Sequence, residues 1–305
     1  MTYYQTGIVD NLPAHGRYLT FEHLPGTPPT GALQRLQTVA DGSELVVGLG
    51  RSLTLELNAD IPNLGTFPAD PKARIEVPST PAALWCWLRG AERGDLIHRS
   101  RELKNQLSEA FECINTIDAF KHGSGRDLTG YEDGTENPEG QEALDAALLR
   151  GAGDGLDGSS YAAVQTWVHN LNRFKALPPN KQDHTIGRRL SDNEELADAP
   201  PSAHTKRTEQ ESFSPEAFMM RRSMPWADSS AEGLNFVAFG RDFRSFEVQL
   251  ARMVGIEDGI TDALFNFSRP VTGNYFWCPP VFQGRLDLRA LNLQQPDLAA
   301  LPNFG

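Results

Sequence analysis

The order of the apolar segments, met once in each half of the chain, does most to limit what this sequence can fold into. An extended run from Gly16 to Leu24, in which Tyr18, Thr20 and Phe21 favour a strand, stops at Pro25-Gly26. Leu33, Leu36 and Val39 then recur every three residues, as one face of a helix does. Glu44 to Leu57 holds two strand-like pieces, Leu-Val-Val-Gly-Leu-Gly and Leu-Thr-Leu-Glu-Leu, divided at Gly50-Arg51-Ser52. A further strand is expected over 84–89. The clearest amphipathic helix runs from Ala91 to Phe111, with Leu96, Ile97, Leu103, Leu107 and Phe111 at three- and four-residue steps. Strand, helix, paired strands, helix is the order that a ferredoxin-like α+β unit requires.

The second half repeats the rhythm. Tyr161 to Val168 reads as a strand. Phe218 to Arg222 and Leu234 to Phe239 read as neighbouring strands joined by the turn-rich Pro225 to Gly233. Phe243 to Met253 reads as a helix and Tyr275 to Trp277 as a short last strand. A chain of 305 residues accommodates two domains of about 150. The glycine-rich segment from Gly151 to Ser160 is the best boundary, which gives domains over 1–150 and 151–305.

Composition narrows the function. A formal net charge of -12 repels a phosphate backbone and argues against a nucleic-acid partner, while leaving room for a small anionic substrate in a local basic pocket. No stretch of about 18 apolar residues is present, so no membrane span is expected. The first residues show neither a basic region nor an apolar stretch of the secretory kind, and Leu298 to Gly305 shows no targeting peptide; a cytoplasmic location is expected. Cys86, Cys113 and Cys278 are odd in number and far apart, as buried thiols of a reducing compartment are. The chain has no Cys-x-x-Cys-His, so haem attached in the c-type manner is excluded.

The run Gly130-Tyr131-Glu132-Asp133-Gly134-Thr135-Glu136-Asn137-Pro138 is polar and turn-forming. By itself it describes an Asx turn on the surface, or a turn that holds the Asp133 carboxylate over a ligand. Seven histidines are available as metal ligands, and no spacing selects among them; His169 stands out for its apolar strand context.

Together with residues further along the chain, the run resembles the glycine–x–x–aspartate–glycine motif of the dye-decolorising peroxidases, in their compact bacterial branch. His204, Arg221-Arg222-Ser223-Met224-Pro225, Gly187-Arg188-Arg189 and the stretch from Gly259 to Pro280 also match that family. The resemblance implies an α+β fold of two ferredoxin-like domains, each with an antiparallel sheet and packed helices. It implies one non-covalent haem b per chain, held by the second domain, and a homo-oligomer. Hydrogen peroxide and small organic electron donors such as phenols or dyes are the implied substrates. His204 becomes the axial iron ligand, with His169 as the alternative. Asp262, or else Asp258, becomes its carboxylate partner. Asp133 and Arg221 become the pair that moves a proton on peroxide and stabilises charge, with Ser223 on the same strand face as Arg221 and Arg222 on the other. Arg189 is preferred over Arg188 and Lys206 as a partner for a haem propionate. Phe236 and Phe239 are expected against the porphyrin. A haem-binding, storage or delivery protein without peroxidase turnover is the alternative from another class, and a cofactor-free α+β domain is a third.

Overall fold

The computed structural model describes residues 3–293; the carboxyl-terminal segment from Leu298 lies outside the described residues. The chain is an α+β fold in which helices pack on the outside of a closed antiparallel barrel. Along the first half run β1 (His15–His23), α1 (Thr30–Val39), β2 (Leu45–Leu49), α2 (Arg51–Glu56), β3 (Leu84–Gly90), α3 (Arg93–Leu107) and β4 (Phe111–Phe120). Next come α4 (Gly140–Ala147), β5 (Ser160–His169), α5 (Leu171–Lys175), α6 (Pro179–Ile186) and α7 (His204–Thr208). The chain continues through β6 (Met220–Arg221), β7 (Met224–Ala227), β8 (Glu232–Gly240), α8 (Arg244–Met253), β9 (Ser268–Pro270) and β10 (Asn274–Cys278).

The strands lie in the order β8-β7-β4-β1-β3-β2-β10-β5, and β5 pairs again with β8, which closes the ring. Within each half the pairing is long: β1 runs beside β4 and β3, and β5 pairs with β8 from Tyr161–Gly240 to Val168–Gly233. Between the halves it is narrow. One seam is the pair Ala119–Trp226 and the other Trp277–Leu49.

Alternation along the strands sorts the side chains into two cores. Tyr18, Trp85, Trp87, Val164, Val237, Phe239 and Phe276 share the barrel interior. Tyr18 stacks on Trp87 with ring centres 5.6 Å apart, and Trp85 on Phe276 at 5.9 Å. The intervening residues, among them Leu19, Val47, Cys86, Leu88, Tyr161 and Trp277, face outward under Leu33 and Leu36 of α1, Leu96 and Leu103 of α3 and Phe246 of α8. Full burial of one such side chain contributes about 1.5–3 kcal/mol.

Two local expectations are corrected. Leu-Thr-Leu-Glu-Leu alternates like a strand, yet it lies in and just after α2, where Leu53 and Thr54 are buried. Five residues are too few for the period to decide. Phe111 does not end the long helix, which stops at Leu107; it opens β4. Most side chains of that strand are polar or only partly covered, so it lacks the apolar run that would mark it in the sequence. Cys86 and Cys278 are buried free thiols, while Cys113 is partly exposed. Among the described residues no helix is long and apolar enough to cross a membrane.

Candidate active site

The outer faces of β5 and β8, covered by α7, α8 and the loop before α4, leave a cavity. Gln165, Trp167 and His169 come from β5, Leu234 and Phe236 from β8, and Phe246, Leu250 and Met253 from α8. His204, Asp133 and Arg221 complete it, and the space including its mouth is about 640 Å³. A polar cleft lined by Glu136, Arg188 and Gln210 adjoins it and shares His204, Asp133 and Arg221.

The Asp133 loop is built by its own turn chemistry. Asp133 N–H donates to Gly125 O at 3.0 Å, and Arg126 bridges to Glu132, which turns residues 125–133 back on themselves. Gly134 follows at φ +76°, and a Cβ there would lie 2.7 Å from Asn137 Nδ2. Only glycine adopts this turn at no steric cost. Asn137 then pins the loop to β6 as a strand neighbour would: its Oδ1 accepts from Arg221 N–H at 2.8 Å and its Nδ2 donates to Arg221 O at 3.0 Å. Through this one amide the Asp133 turn meets the arginine strand. Asn137 stands within the motif, yet the sequence reading gives it no role. Its complementary donor and acceptor are the signal that could have supplied one.

Burial raises the Asp133 carboxyl above the ordinary value; the Arg221 charge opposes this and the Asp127 charge adds to it. A carboxyl so placed exchanges a proton nearer neutrality than a solvated one. Arg221 makes no ion pair among the described residues, and its Nε is buried without a hydrogen-bond partner. A permanent cation with spare donors therefore faces the cavity.

His204 is the first residue of α7. Its Nδ1 lies 2.7 Å from Asp262 Oδ2, and Asp262 is 1% exposed. The other Asp262 oxygen accepts from Leu264 N–H at 2.8 Å and caps the short turn there. With the Nδ1 hydrogen donated to Asp262, Nε2 keeps a lone pair and has no hydrogen bond among the described residues. Arg207 anchors α7 by donating to both oxygens of Asp258, at 2.7 and 2.8 Å, and to Arg252 O. Asp258, the other carboxylate considered for the His204 role, is thus engaged; these hydrogen bonds hold it down to about 2. Gly187, with φ +99°, lets α6 end against α7, since a Cβ there would overlap Thr205 Oγ1.

Several expected residues lie elsewhere. Phe239 is 0% exposed in the barrel interior, whereas Phe236 lines the cavity. Positions three apart on a strand face opposite ways. Arg189 is exposed and paired with Asp192 through Nε at 3.0 and 3.1 Å; Arg188 lines the polar cleft and reaches Glu136 at 2.5 Å. The turn after α6 aims the first of the two arginines inward. Lys206 is taken by Glu195 at 2.7 Å. Ser223 is buried, and its Oγ accepts from Val237 N–H at 3.4 Å; a side chain this short ends on the neighbouring strand. Arg222 faces away from Arg221, as alternation requires, and donates to Val9 O. Both ring nitrogens of His169 are occupied, Nδ1 by Ser268 Oγ at 2.6 Å and Nε2 by Asp127 at 3.1 Å.

Among the described residues no group of three or more His, Cys, Asp or Glu could hold a bare metal ion. The donor set does fit haem: one backed imidazole with a free nitrogen, apolar walls that suit a porphyrin, and unpaired Arg221 donors for oxygen ligands. None of the three cysteines lines the cavity.

Comparison with known proteins agrees. The sequence model of the family described as "Dyp-type peroxidase, C-terminal" matches residues 124–283, just over half of the chain. The chain is 31% identical over 253 residues to a dye-decolorizing peroxidase of Rhodococcus erythropolis, covering 79% of this chain and 73% of that one. A dye-decolorizing protein from V. cholerae superposes with a TM-score of 0.82 at 26% identity, covering 95% of this chain and 99% of the other. A DypB variant of Rhodococcus jostii, solved in complex with heme, shares the fold with a TM-score of 0.81 at 22% identity, over 94% and 97% of the two chains. On this match of motif, length and fold, the chain belongs to the Dyp-type peroxidase family.

Proposed function

We propose that this peroxidase holds one non-covalent haem b per chain in the cavity and reduces hydrogen peroxide at the expense of small organic one-electron donors such as phenols or dyes. One observation carries the reading: His204, backed by Asp262, presents a free Nε2 to the same cavity that Asp133 and Arg221 line. When bound, haem supplies the iron at which the O–O bond is cleaved and electrons are delivered. His204 would ligate it, and Asp262 would raise the electron donation of the imidazole. Asp133 takes a proton from one peroxide oxygen and returns it to the other. Arg221 stabilises the negative charge that develops as the bond breaks. Phe236, Trp167 and Leu250 would pack on the porphyrin, and Arg188, already turned into the polar cleft, replaces Arg189 as the candidate partner of a propionate.

The same reading divides the chain at 151–160 into two ferredoxin-like units, 1–150 and 151–305. It is supported by the strand orders β4-β1-β3-β2 and β10-β5-β8-β7, each fourth-first-third-second within its half, and by the narrow seams between them. Exclusion of nucleic acid rests on the acidic composition. Assembly as a homo-oligomer rests on the family resemblance, and a cytoplasmic location on the three free cysteines, which suit a reducing compartment.

The test is direct. Protein produced with ample haem is expected to carry an intense visible absorption band that changes rapidly on addition of peroxide. The change should be slowed in Arg221→Ala and not in Arg222→Ala. A band that ignores peroxide would mark a haem carrier, and no band at all would end the proposal.

A further inference from the structure

The reaction needs more protons than Asp133 provides. Reduction of one peroxide to two waters consumes two electrons and two protons. Asp133 takes a proton from peroxide and gives it back, so it adds none. A phenol releases one proton with each electron, and wherever it gives up that electron at a distance from the cavity, the proton has to be carried inward.

A chain of side chains spans the cavity wall. His169 and Ser268 line the cavity, and the same two residues line a separate open cleft with Asn170, Asn172 and Arg173. The His169 side chain is 7% exposed, and its ring lies against Phe267 with centres 5.9 Å apart. It sits between Ser268 Oγ, 2.6 Å from Nδ1, and Asp127 Oδ1, 3.1 Å from Nε2. The other Asp127 oxygen accepts from Thr129 N–H at 2.9 Å and from Thr129 Oγ1–H at 2.7 Å, which fixes the carboxylate. Although burial pushes the Asp127 carboxyl up, the bonds from His169 and Thr129 bring it below its ordinary value, so it remains an acceptor. The cavity side also carries Asp133, Arg221 and His204; the cleft side carries Arg173, Glu232 and Arg269.

We propose that Ser268 and His169, oriented by Asp127, pass protons from the open cleft to the cavity during turnover. The inference rests on the peroxidase reading above. Asp127 accepts the Nε2 hydrogen, which leaves Nδ1 of the neutral ring bare and facing the Ser268 hydroxyl. In one step Ser268 gives its hydrogen to Nδ1 and takes one from a hydronium ion in the cleft, which leaves as water. In the next, Nδ1–H returns a proton to Ser268 Oγ, which releases its own hydrogen to a water in the cavity. Each cycle moves one proton inward and restores both residues, and two cycles meet the need of one peroxide. Asp127 is a positioning residue, which selects the tautomer and steadies the imidazolium.

The variant that tests this is His169→Gln, which keeps polar atoms near both neighbours but does not titrate. In the haem-loaded variant, the peroxide-driven spectral change is expected at the wild-type rate. Steady turnover with a small phenol is expected to fall roughly 10- to 100-fold, and to recover as the concentration of phosphate, a proton carrier that is a poor ligand for haem iron, is raised. Unchanged turnover, equal slowing of both measurements, or a selective loss that phosphate does not relieve would each overturn the relay. A second readout needs no haem. Nitrogen-15 spectra of the apoprotein are expected to place the hydrogen of neutral His169 on Nε2, a preference lost in Asp127→Asn. A hydrogen on Nδ1 in the wild type would reverse the assigned roles and overturn the path. Failure of the wild type to react with peroxide would count against the proposed function instead, and leaves the tautomer measurement standing.

Discussion

The two faces of β5 and β8 make opposite uses of one backbone. Inside the barrel, Ala162, Val164, Val237 and Phe239 meet residues from the other strands of the closed ring and pack against them. Outside, Gln165, Trp167, His169 and Phe236 meet helices that cover them incompletely, and the gap becomes the cavity. A closed sheet must fill its interior to near crystal density. A helical layer has no such obligation, so the cavity opens on the outer face. Arg221 and Arg222 repeat the contrast at neighbouring positions. The first lines the cavity; the second is 7% exposed and donates to the backbone carbonyls of Arg221 and Val9, with burial and the nearby Arg89 bringing it down to about 10.

Substitutions on the two faces should therefore fail differently. The largest effect is expected from His204→Ala, which should leave a folded protein with little haem; a wild-type ratio of haem to protein on purification would transfer suspicion to another ligand. Asp262→Asn should rank second, with about 10- to 100-fold weaker retention of the cofactor.

Asp133→Asn comes next. It should load haem and lose roughly 10²–10⁴-fold in the rate of the peroxide-driven spectral change. Because burial raises the Asp133 carboxyl, the wild-type rate should fall as the pH drops through a value above the ordinary carboxylate range, where the base becomes protonated. The asparagine variant should show no such limb. Superimposable pH profiles would reduce Asp133 to a turn residue.

The contrast between faces is sharpest at Phe239 and Phe236. Phe239→Ala opens the barrel interior and should cost about 3–5 kcal/mol in denaturant unfolding. Phe236→Ala borders existing space and should cost clearly less, while weakening haem retention more. Equal losses of stability would show that the two faces are not as distinct as their packing indicates. The smallest effect belongs to Arg189→Ala, whose ion pair with Asp192 is exposed: within about 0.5 kcal/mol of wild type, with unchanged haem content. Arg188→Ala is the sensitive neighbour.

Much of this protein is legible in its residues taken in order. Period and punctuation locate β1, α1, β3, most of α3 and β5, and the family resemblance singles out Asp133, His204 and Arg221, which line one cavity, and Asp262, which backs His204. The elements and the Gly130 to Pro138 motif are local, since a turn, a helix face or a short motif is complete within a few residues. The errors arise where the deciding partner is remote. Phe239 and Phe236 are alike in sequence, and only barrel closure assigns one to the core and the other to the cavity. Arg188 and Arg189 are adjacent, and the turn after α6 chooses between them. Asn137 acquires its role from Arg221, 84 positions away. His169 is set apart from His204 by Asp127 and Ser268, which occupy both its nitrogens, while Asp262 occupies only one nitrogen of His204. The sequence by itself determined which chemical groups are present and the local shapes that carry them. The tertiary structure decided which of those groups share a space and which lone pairs stay free, because hydrogen bonding and packing are settled between segments far apart in the chain.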